Sequence, residues 1–271
     1  QESMVGRKRV IDVTPLCFEE FLLFTGHREK ESFKNYKLAP TWESHILFND
    51  AFDEYTIYGG LPKVSKEQIL EEKVNELNEI YQSYIQKDIK SYIKEEKVVG
   101  FNKLLKILAS QIGNTISLEE LSNTVQLKRA DVEEFIFILE QTFILFCLQP
   151  FHTNMRKELT KKRKIYFYDT GLRNIILKSF SGVMERPDGG ALFENAIISE
   201  LLKHKKVTDQ FFYWKTQQGG EVDLVIKREG KIIPVEIKLN LTSLSKLRAL
   251  HSFCDHYNVD KKYVVTRGRP L

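Results

Sequence analysis

The stretch "GGEVDLVIKREGKIIPVEIK", from Gly219 to Lys238, decides the fold of the last part of the chain. Two segments rich in Val and Ile flank the dipeptide Glu229-Gly230, a pattern that predicts a β-hairpin with a tight turn. A two- or four-residue loop centred on that dipeptide pairs Asp223 directly with Glu236, whereas a three-residue loop shifts the pairing. Two carboxylates that face each other repel, so the sequence predicts a partner that offsets this cost.

The partner predicted for the two carboxylates is a cation. Lys238 follows Glu236 by two residues, so both side chains are expected on the same strand face. Mg²⁺ typically takes one or two carboxylates in proteins and keeps several waters, so Mg²⁺ or Mn²⁺ would offset the repulsion further. Strand alternation also places Val222 and Leu224 together, on the face opposite Asp223.

A third carboxylate is predicted on the helix upstream of the hairpin. Glu194 precedes Ile197 and Ile198 by three and four residues. It is therefore expected to point along the apolar stripe towards the sheet, where an unpaired charge is costly. Glu200 is the alternative, because it follows Phe193 by seven residues.

The elements around the hairpin predict an αβββαβ unit within residues 161–271. Helical patterns occur at Gly189–Lys206 and Ser243–Tyr257, and further strand patterns at Gln210–Lys215 and Lys261–Arg267. A hairpin followed by a helix that crosses to another strand is typical of a mixed sheet with helices packed on it. The expected fold class is therefore α+β or α/β.

The preceding residues, 63–160, predict a helical domain of the winged-helix type. Three helices followed by two strands have the order of that motif, and they are expected at 101–112, 118–124, 128–140, 142–149 and 164–169. The first helix of the helix-turn-helix pair begins after Ser117, which with Glu120 forms a capping pattern. The two strands would form the wing.

Basic residues at the start of the third helix and along the wing predict contact with nucleic acid. Such a cluster can neutralise several phosphates, and its members are Lys128, Arg129, Arg156, Lys157, Lys161, Lys162, Arg163 and Lys164. The third helix also carries Asp131, Glu133 and Glu134, which would repel phosphates. A protein-docking or purely architectural role is therefore the alternative.

The composition is that of a globular protein. The chain has 271 residues, of which 42% are hydrophobic and 29% charged, and its net charge is +4. The most apolar run, Phe135–Leu148, is too short to span a bilayer, so no membrane partner is expected. Three distant cysteines form neither a disulfide framework nor a CxxC metal motif, and a cytoplasmic location is expected.

Glu194 on a helix, Asp223 on a strand and the Glu236-x-Lys238 pattern on the next strand resemble the PD-(D/E)xK nuclease superfamily. The resemblance implies a restriction-endonuclease-like fold in which Asp223, Glu236 and the Ile237 carbonyl hold Mg²⁺ or Mn²⁺. Glu194 would be a further ligand, and Lys238 would orient or activate the attacking water. The sequence departs from the pattern before Asp223, where the superfamily often has Pro and this chain has Val222.

A wider resemblance covers essentially the whole chain. It rests on motifs that occur in one order: "RVIDVTPLCFEEFLLF", "YGGLP", "YIQKDI", "KIYFYDTGLRN", "GALFENAIISEL", "YWKTQQGGEVDLVI" and "IIPVEIK". Together they resemble the C-terminal region of a family of prokaryotic AAA-like ATPases. In that family a P-loop domain precedes a winged helix and a nuclease-like domain of unknown function.

The wider resemblance implies three parts and a partner domain. Residues 1–62 would be the remnant of the ATPase domain and a connector, 63–160 the helical winged-helix domain and 161–271 the nuclease-like domain. The Walker A pattern is absent from the 271 residues. ATP would therefore be bound only by the full-length protein, through its own ATPase domain.

Two functions from different classes follow. The first is a metal-dependent nuclease module that hydrolyses phosphodiesters or processes nucleic acid. The second is a catalytically inactive module that docks nucleic acid or a protein partner for the ATPase. Under the first, Asp223→Ala is expected to abolish cleavage and, by removing the carboxylate repulsion, to raise the stability of the fold.

Overall fold

A computed structural model describes residues 12–27, 42–152, 162–259 and 261–268 of the chain. These residues form a mixed α+β architecture with ten α-helices and one six-stranded open sheet. None of the helices in the described ranges is long and apolar enough to cross a membrane.

Four α-helices precede the first helix of the predicted winged-helix motif, and the starts of two of them have a clear local cause. The Glu20 carboxylate accepts the backbone N–H of Cys17 at 2.8 Å, which caps the first helix. Pro62 occupies the first turn of the third helix, where its missing N–H costs nothing. The helices are α1 (Phe18–Phe24), α2 (Trp42–Tyr58), α3 (Pro62–Lys66) and α4 (Leu70–Ile80).

The three predicted helices of residues 101–140 are confirmed, with ends that differ by up to three residues. They are α5 (Val98–Ser110), α6 (Leu118–Val125) and α7 (Arg129–Gln141). Ser117 caps α6 as expected, because its hydroxyl accepts the N–H of Glu120 at 3.4 Å. The apolar faces of these helices form one hydrophobic cluster with Leu145 and Ile165 of the strands that follow.

The two predicted wing strands, β1 (Leu145–Pro150) and β2 (Lys164–Phe167), pair antiparallel. They are not separate from the rest of the molecule. β1 also pairs in parallel with the next strand, β3 (Gln210–Lys215), through Gln149 and Pro150. The predicted wing, β1 and β2, therefore belongs to the main sheet. The sheet thus contains strands from both sides of the expected division at residue 160.

The remaining strands are β4 (Glu221–Arg228), β5 (Lys231–Lys238) and β6 (Tyr263–Thr266), and the sheet order is β2-β1-β3-β4-β5-β6. The helices among them are α8 (Thr170–Leu177), α9 (Gly189–Lys203) and α10 (Arg248–Tyr257). The predicted αβββαβ order of the last part of the chain is thus observed. β6 pairs with β5 in parallel, as a crossover helix allows.

The opening hairpin has the predicted register. Pairs run from Leu224 opposite Val235 to Arg228 opposite Lys231, which is the register of a two-residue loop. The loop is Glu229-Gly230, with φ of 52° and 77°. Positive φ at both positions is the signature of a type I′ turn, which matches the twist of the flanking strands.

A β-bulge in β4 lies at Asp223. Asp223 and Leu224 together lie opposite the single residue Tyr213 of β3, where the register of the pairing shifts. Val222 consequently packs with Val225 in the cluster under α10, whereas Leu224 packs in the cluster under α9. The predicted shared face of Val222 and Leu224 is therefore wrong, because strict alternation ends at the bulge. Bulges often re-aim a side chain beside a functional site.

Helix α9 is fixed to the sheet by a buried amide. Asn195 is fully buried; its Oδ1 accepts the N–H of Phe167 at 2.9 Å, and its Nδ2 donates to the Phe167 carbonyl at 2.7 Å. The side chain thus bonds to the backbone of β2 as a further strand would. This contact sets the position of the preceding residue, Glu194.

Candidate functional site

The three predicted carboxylates come from three elements and meet at one end of the sheet. Glu194 lies on α9, Asp223 on β4 and Glu236 on β5. Asp223 and Glu236 are only 4% and 3% exposed. Carboxylates are almost never buried to this degree unless other groups compensate their charge, so their partners define the chemistry of the site.

Asp223 takes the place of a backbone acceptor. Its Oδ2 accepts the N–H of Ile237 at 2.7 Å and a hydrogen bond from Lys238 Nζ at 3.2 Å. The backbone pairs of β4 and β5 end at Leu224 opposite Val235, one residue short of Asp223. The carboxylate therefore replaces the strand acceptor for Ile237 beyond that point. The Ile237 carbonyl stays a predicted metal ligand.

Glu236 is only partly compensated. Lys238 Nζ lies 2.7 Å from its Oε1, but its buried Oε2 has no hydrogen-bond partner among the described residues. The pKa of Glu236 is raised to about 7: burial raises it most, the negative charge of Asp223 adds to this, and Lys238 opposes both. An orphaned, buried carboxylate oxygen is the kind of group that a bound cation satisfies.

Glu194 faces Asp223 and Glu236, and we call these three residues the carboxylate cluster. Its Oε1 accepts the hydroxyl of Tyr166 at 2.6 Å and lies 3.4 Å from Lys164 Nζ. Burial raises the pKa of Glu194; Lys164 lowers it, and Asp223 raises it again. The alternative, Glu200, instead accepts the N–H of Phe18 at the start of α1, so the structure favours Glu194 as the third carboxylate.

Lys164 was expected on a nucleic-acid-binding surface, and this interpretation is wrong. The side chain is 1% exposed and forms ion pairs with Glu194 and with Glu221. Glu221 also pairs with Lys215 at 2.7 Å. A lysine buried to this degree cannot reach a phosphate backbone at the surface, so its charge compensates the carboxylates instead.

Sequence reasoning missed Tyr166 and Glu221, and it misplaced Lys164. A signal was present for each residue. Lys164 and Tyr166 are two residues apart on β2, and Glu221 and Asp223 are two residues apart on β4. Residues two apart in a strand lie on the same face, so each pair could have been assigned to one face. What the sequence lacked was the pairing of the wing hairpin with β3, which brings β2 to the site.

Gly113 closes the site on the side of the α5–α6 loop. Its φ is +74°, and a Cβ there would lie 3.3 Å from Glu194 Oε1. The Gly113 N–H donates to the Ile165 carbonyl of β2 at 3.0 Å. A side chain at this position would be strained and would crowd the carboxylate.

The donor chemistry of these residues suits a divalent cation. Asp223 and Glu236 are paired carboxylates, Glu194 is a third within the same electrostatic cluster, and one carboxylate oxygen is buried without a partner. Oxygen ligands of this type suit Mg²⁺ and Mn²⁺. These residues would hold such an ion, and Lys238 would remain beside it.

Part of the predicted basic surface forms a separate pocket. Arg129, Lys162 and Arg163 line it together with Ser117 and Glu119, and its volume is about 210 Å³. Lys128 and Arg129 are exposed, as a phosphate contact requires. The other predicted basic residues, Arg156, Lys157 and Lys161, lie outside the described residues.

Two family models match the chain. The model of the domain of unknown function DUF8612 matches residues 49–182, and that of the domain of unknown function DUF4143 matches residues 189–270. Glu194, Asp223 and Glu236 lie in the second match, whereas Lys164 lies in the first. The carboxylate cluster and the lysine that pairs with Glu194 therefore come from different matched segments.

The similar curated proteins are themselves uncharacterized. MJ1544 and MJ1637 of Methanocaldococcus jannaschii are both 25% identical to the chain, over 89% and 85% of its length and 52% and 51% of theirs. Rv2008c of Mycobacterium tuberculosis is 24% identical over 72% of the chain and 44% of its own length. No solved structure matches the chain. The chain thus spans about half the length of these relatives and joins a segment similar to DUF8612 to one similar to DUF4143.

Proposed function

We propose that the chain carries a divalent-metal site for phosphodiester hydrolysis, with Asp223, Glu236 and Glu194 as the ligands of Mg²⁺ or Mn²⁺. The observation that carries the proposal is the buried Oε2 of Glu236, which has no hydrogen-bond partner in the described part of the chain. A cation offsets both that orphaned oxygen and the repulsion from Asp223. When bound, the ion supplies a lowered water pKa and neutralises charge on the phosphate.

The role of Lys238 follows from its charge. Burial lowers the pKa of Lys238, but Asp223 and Glu236 outweigh this effect and raise it. The ammonium therefore stays protonated at neutral pH in the metal-free chain. We assign it a donor role: it holds the two carboxylates together and orients a water or a phosphate oxygen, rather than accepting a proton.

The residues behind the carboxylates position Glu194. Tyr166 and Lys164 both contact its Oε1, and Lys164 links it to Glu221. This network holds the partly buried carboxylate of Glu194 in one place without a metal. It is a reason to expect that substitutions at Tyr166 and Lys164 weaken metal binding although neither side chain is a ligand.

The setting that we propose is an ATPase-associated one. The relatives have about twice the length matched here, which leaves room for the P-loop domain implied by the sequence resemblance. In this proposal α5–α7 with β1 and β2 act as a winged-helix unit, and the rest of the sheet as a restriction-endonuclease-like unit. ATP would bind the full-length protein of a prokaryotic, cytoplasmic family.

Cleavage assays test the enzymatic proposal. Single- and double-stranded DNA and RNA are incubated with the wild-type chain, Asp223→Asn and Lys238→Met in Mn²⁺. We expect cleavage by the wild type and loss of at least about 100-fold in each variant. Asp255→Asn and Lys227→Met are the matched controls, since both residues are exposed. Cleavage that persists in Asp223→Asn would overturn the assignment.

The second candidate is docking of nucleic acid without cleavage, and the basic pocket favours it. Arg129, Lys162 and Arg163 converge there, so the chain offers a recess in which three cationic side chains outnumber the one acidic side chain, Glu119. Binding of a fluorescent oligonucleotide over a range of salt concentrations tests this function. Lys162→Ala should lower the salt slope by about 1, and the exposed Lys231→Ala should not. Equal slopes would argue against docking at this pocket.

A further inference from the structure

A second group of possible metal ligands lies outside the carboxylate cluster. Cys17, Glu200 and His204 each place one ligand atom within 4.8 Å of the other two. Glu200 and His204 are one helical turn apart near the end of α9, and the His204 Nε2 lies 3.1 Å from Glu200 Oε1. Cys17 comes from the residue before α1. The group therefore joins two elements that are distant in sequence.

The chemistry of the three ligands differs from that of the carboxylate cluster. A thiolate, an imidazole and a carboxylate are the donors that protein zinc sites use. Ligand atoms of a tetrahedral zinc site lie about 3.3–3.8 Å apart, given the zinc–ligand bond lengths. His204 and Glu200 are already this close, and Cys17 needs to approach them by at most about 1.5 Å. The side chain of His204 is 54% exposed, which leaves it free to adjust to that approach.

The surroundings supply hydrogen-bond donors to two of the three possible ligands. Glu200 accepts the N–H of Phe18 at 3.0 Å and the hydroxyl of Tyr55 at 3.0 Å. The thiol of Cys17 lies at the N-terminus of α1, where the backbone N–H of Glu20 points at it. N–H donors to a thiolate and a hydroxyl donor to a carboxylate are the outer contacts that orient metal ligands.

A positive charge near the group has its own partners. Lys203 Nζ donates to the Leu16 carbonyl at 3.0 Å and to the Tyr55 hydroxyl at 2.6 Å. These bonds hold the ammonium beside the group. The positive charge of Lys203 lowers the affinity of the group for any cation. A bound metal must therefore draw much of its binding energy from the thiolate of Cys17, and thiolates bind Zn²⁺ far more strongly than Mg²⁺.

We propose that Cys17, Glu200 and His204 bind a zinc ion that fastens the start of α1 to the end of α9. Three protein ligands leave a fourth position for water. The site is distinct from the carboxylate cluster: Glu194 and Glu200 are six residues apart on α9, a rise of about 9 Å along the helix. It selects a soft metal, whereas the cluster selects a hard one. The proposal does not depend on nuclease activity.

Cobalt spectroscopy tests the site. Co²⁺ replaces Zn²⁺ in such sites and gives an intense thiolate-to-cobalt absorption band when a cysteine is a ligand. We expect one equivalent of Co²⁺ to give this band with the full chain and Zn²⁺ to remove it. Cys17→Ser should lose the band and His204→Ala should weaken cobalt binding at least about tenfold. The matched controls Cys254→Ser and His256→Ala should keep it.

Absence of the band in the wild-type chain, or its persistence in Cys17→Ser, would overturn the proposal. Thermal unfolding covers the case in which a variant folds poorly. Zn²⁺ should raise the melting temperature of the wild type and of Asp223→Asn, but not that of His204→Ala, whose ligand is exposed and not needed for folding. A zinc-induced shift that is equal in all three proteins would contradict the site.

Discussion

At the residue scale, Glu236 is the group whose protonation reports the site. Its pKa is about 7 against an ordinary 4.5, because burial and the charge of Asp223 both favour the protonated form. Between pH 4.5 and pH 7, Glu236 is therefore protonated in the folded chain and deprotonated in the unfolded chain. Protonation of Glu236 therefore adds to the free energy of unfolding. This contribution is fully present below pH 4.5 and is lost as the pH rises through 7.

The first prediction is that, in a chelating buffer, the wild type loses stability from about pH 5 to pH 8 relative to Glu236→Gln. The difference should be on the order of 2 kcal/mol, given about 1.36 kcal/mol for each pKa unit. Urea unfolding of both proteins at several pH values measures it. Parallel pH profiles of the two proteins would show that Glu236 is not the titrating group.

The structure changes the expectation for Asp223→Ala. The carboxylate repels Glu236, but it also accepts the buried N–H of Ile237 at 2.7 Å. Alanine leaves that donor unsatisfied, a cost of about 1–3 kcal/mol, whereas asparagine removes the charge and keeps an acceptor. We therefore predict that Asp223→Asn is more stable than Asp223→Ala by this amount in metal-free urea unfolding. Equal stabilities would mean that the hydrogen bond to Ile237 contributes nothing.

At the element scale, the β4–β5 hairpin was predictable because its turn chemistry is local. Glu229-Gly230 between two apolar segments predicted a tight turn, and a two- or four-residue loop there predicted the register that the structure confirms. The bulge at Asp223 was not predictable in the same way. The bulge depends on how β4 pairs with β3, and the sequence of the β4–β5 hairpin does not predict that pairing. The sequence thus predicted which carboxylates lie together. It did not predict the bulge at Asp223 or the hydrogen bond that its side chain accepts from the Ile237 N–H.

The second strand of the wing shows the same limit. The sequence predicted β2 and its basic composition, but the pattern of a basic surface strand is the same as that of a strand with one buried lysine. Only the parallel pairing of β1 with β3 brings Lys164 to Glu194 and Glu221. Long-range pairing therefore decided the role of Lys164, and local propensity could not.

A pair of glycine substitutions tests the turn. Gly230 has φ of 77° in the β4–β5 loop, so Gly230→Ala should cost about 1 kcal/mol. Gly190 lies in α9 with nothing within 4 Å of a Cβ, so Gly190→Ala should stabilise the chain by up to about 1 kcal/mol. Thermal unfolding of the two variants measures both. A Gly230→Ala variant as stable as the wild type would contradict the assigned turn.

At the scale of the whole molecule, Arg173 ties the first matched segment to Asp188, the residue just before the second. It is fully buried on α8; its Nε donates to the Ala109 carbonyl of α5 at 2.7 Å, and its Nη2 donates to Asp188 before α9 at 2.6 Å. The sheet crosses the same boundary through β1 and β3. The described residues are therefore expected to unfold together rather than as separate domains.

Calorimetry of Arg173→Met tests this unity. The wild type should show one transition, and the variant should lose about 1–3 kcal/mol, because it leaves the buried Ala109 carbonyl without its donor. The exposed Arg248→Met is the control and should change stability by less than about 0.5 kcal/mol. Two resolved transitions in the wild-type chain would show that the segments fold independently.

The central claim is that Asp223 and Glu236 form a divalent-metal site, and titration calorimetry with Mg²⁺ tests it most directly. The wild type, Glu236→Gln and the turn control Glu229→Gln are titrated under the same conditions at pH 8. We predict binding of one ion by the wild type and by Glu229→Gln, and none by Glu236→Gln. No heat of binding in the wild type at millimolar Mg²⁺, or equal binding by all three proteins, would contradict the claim.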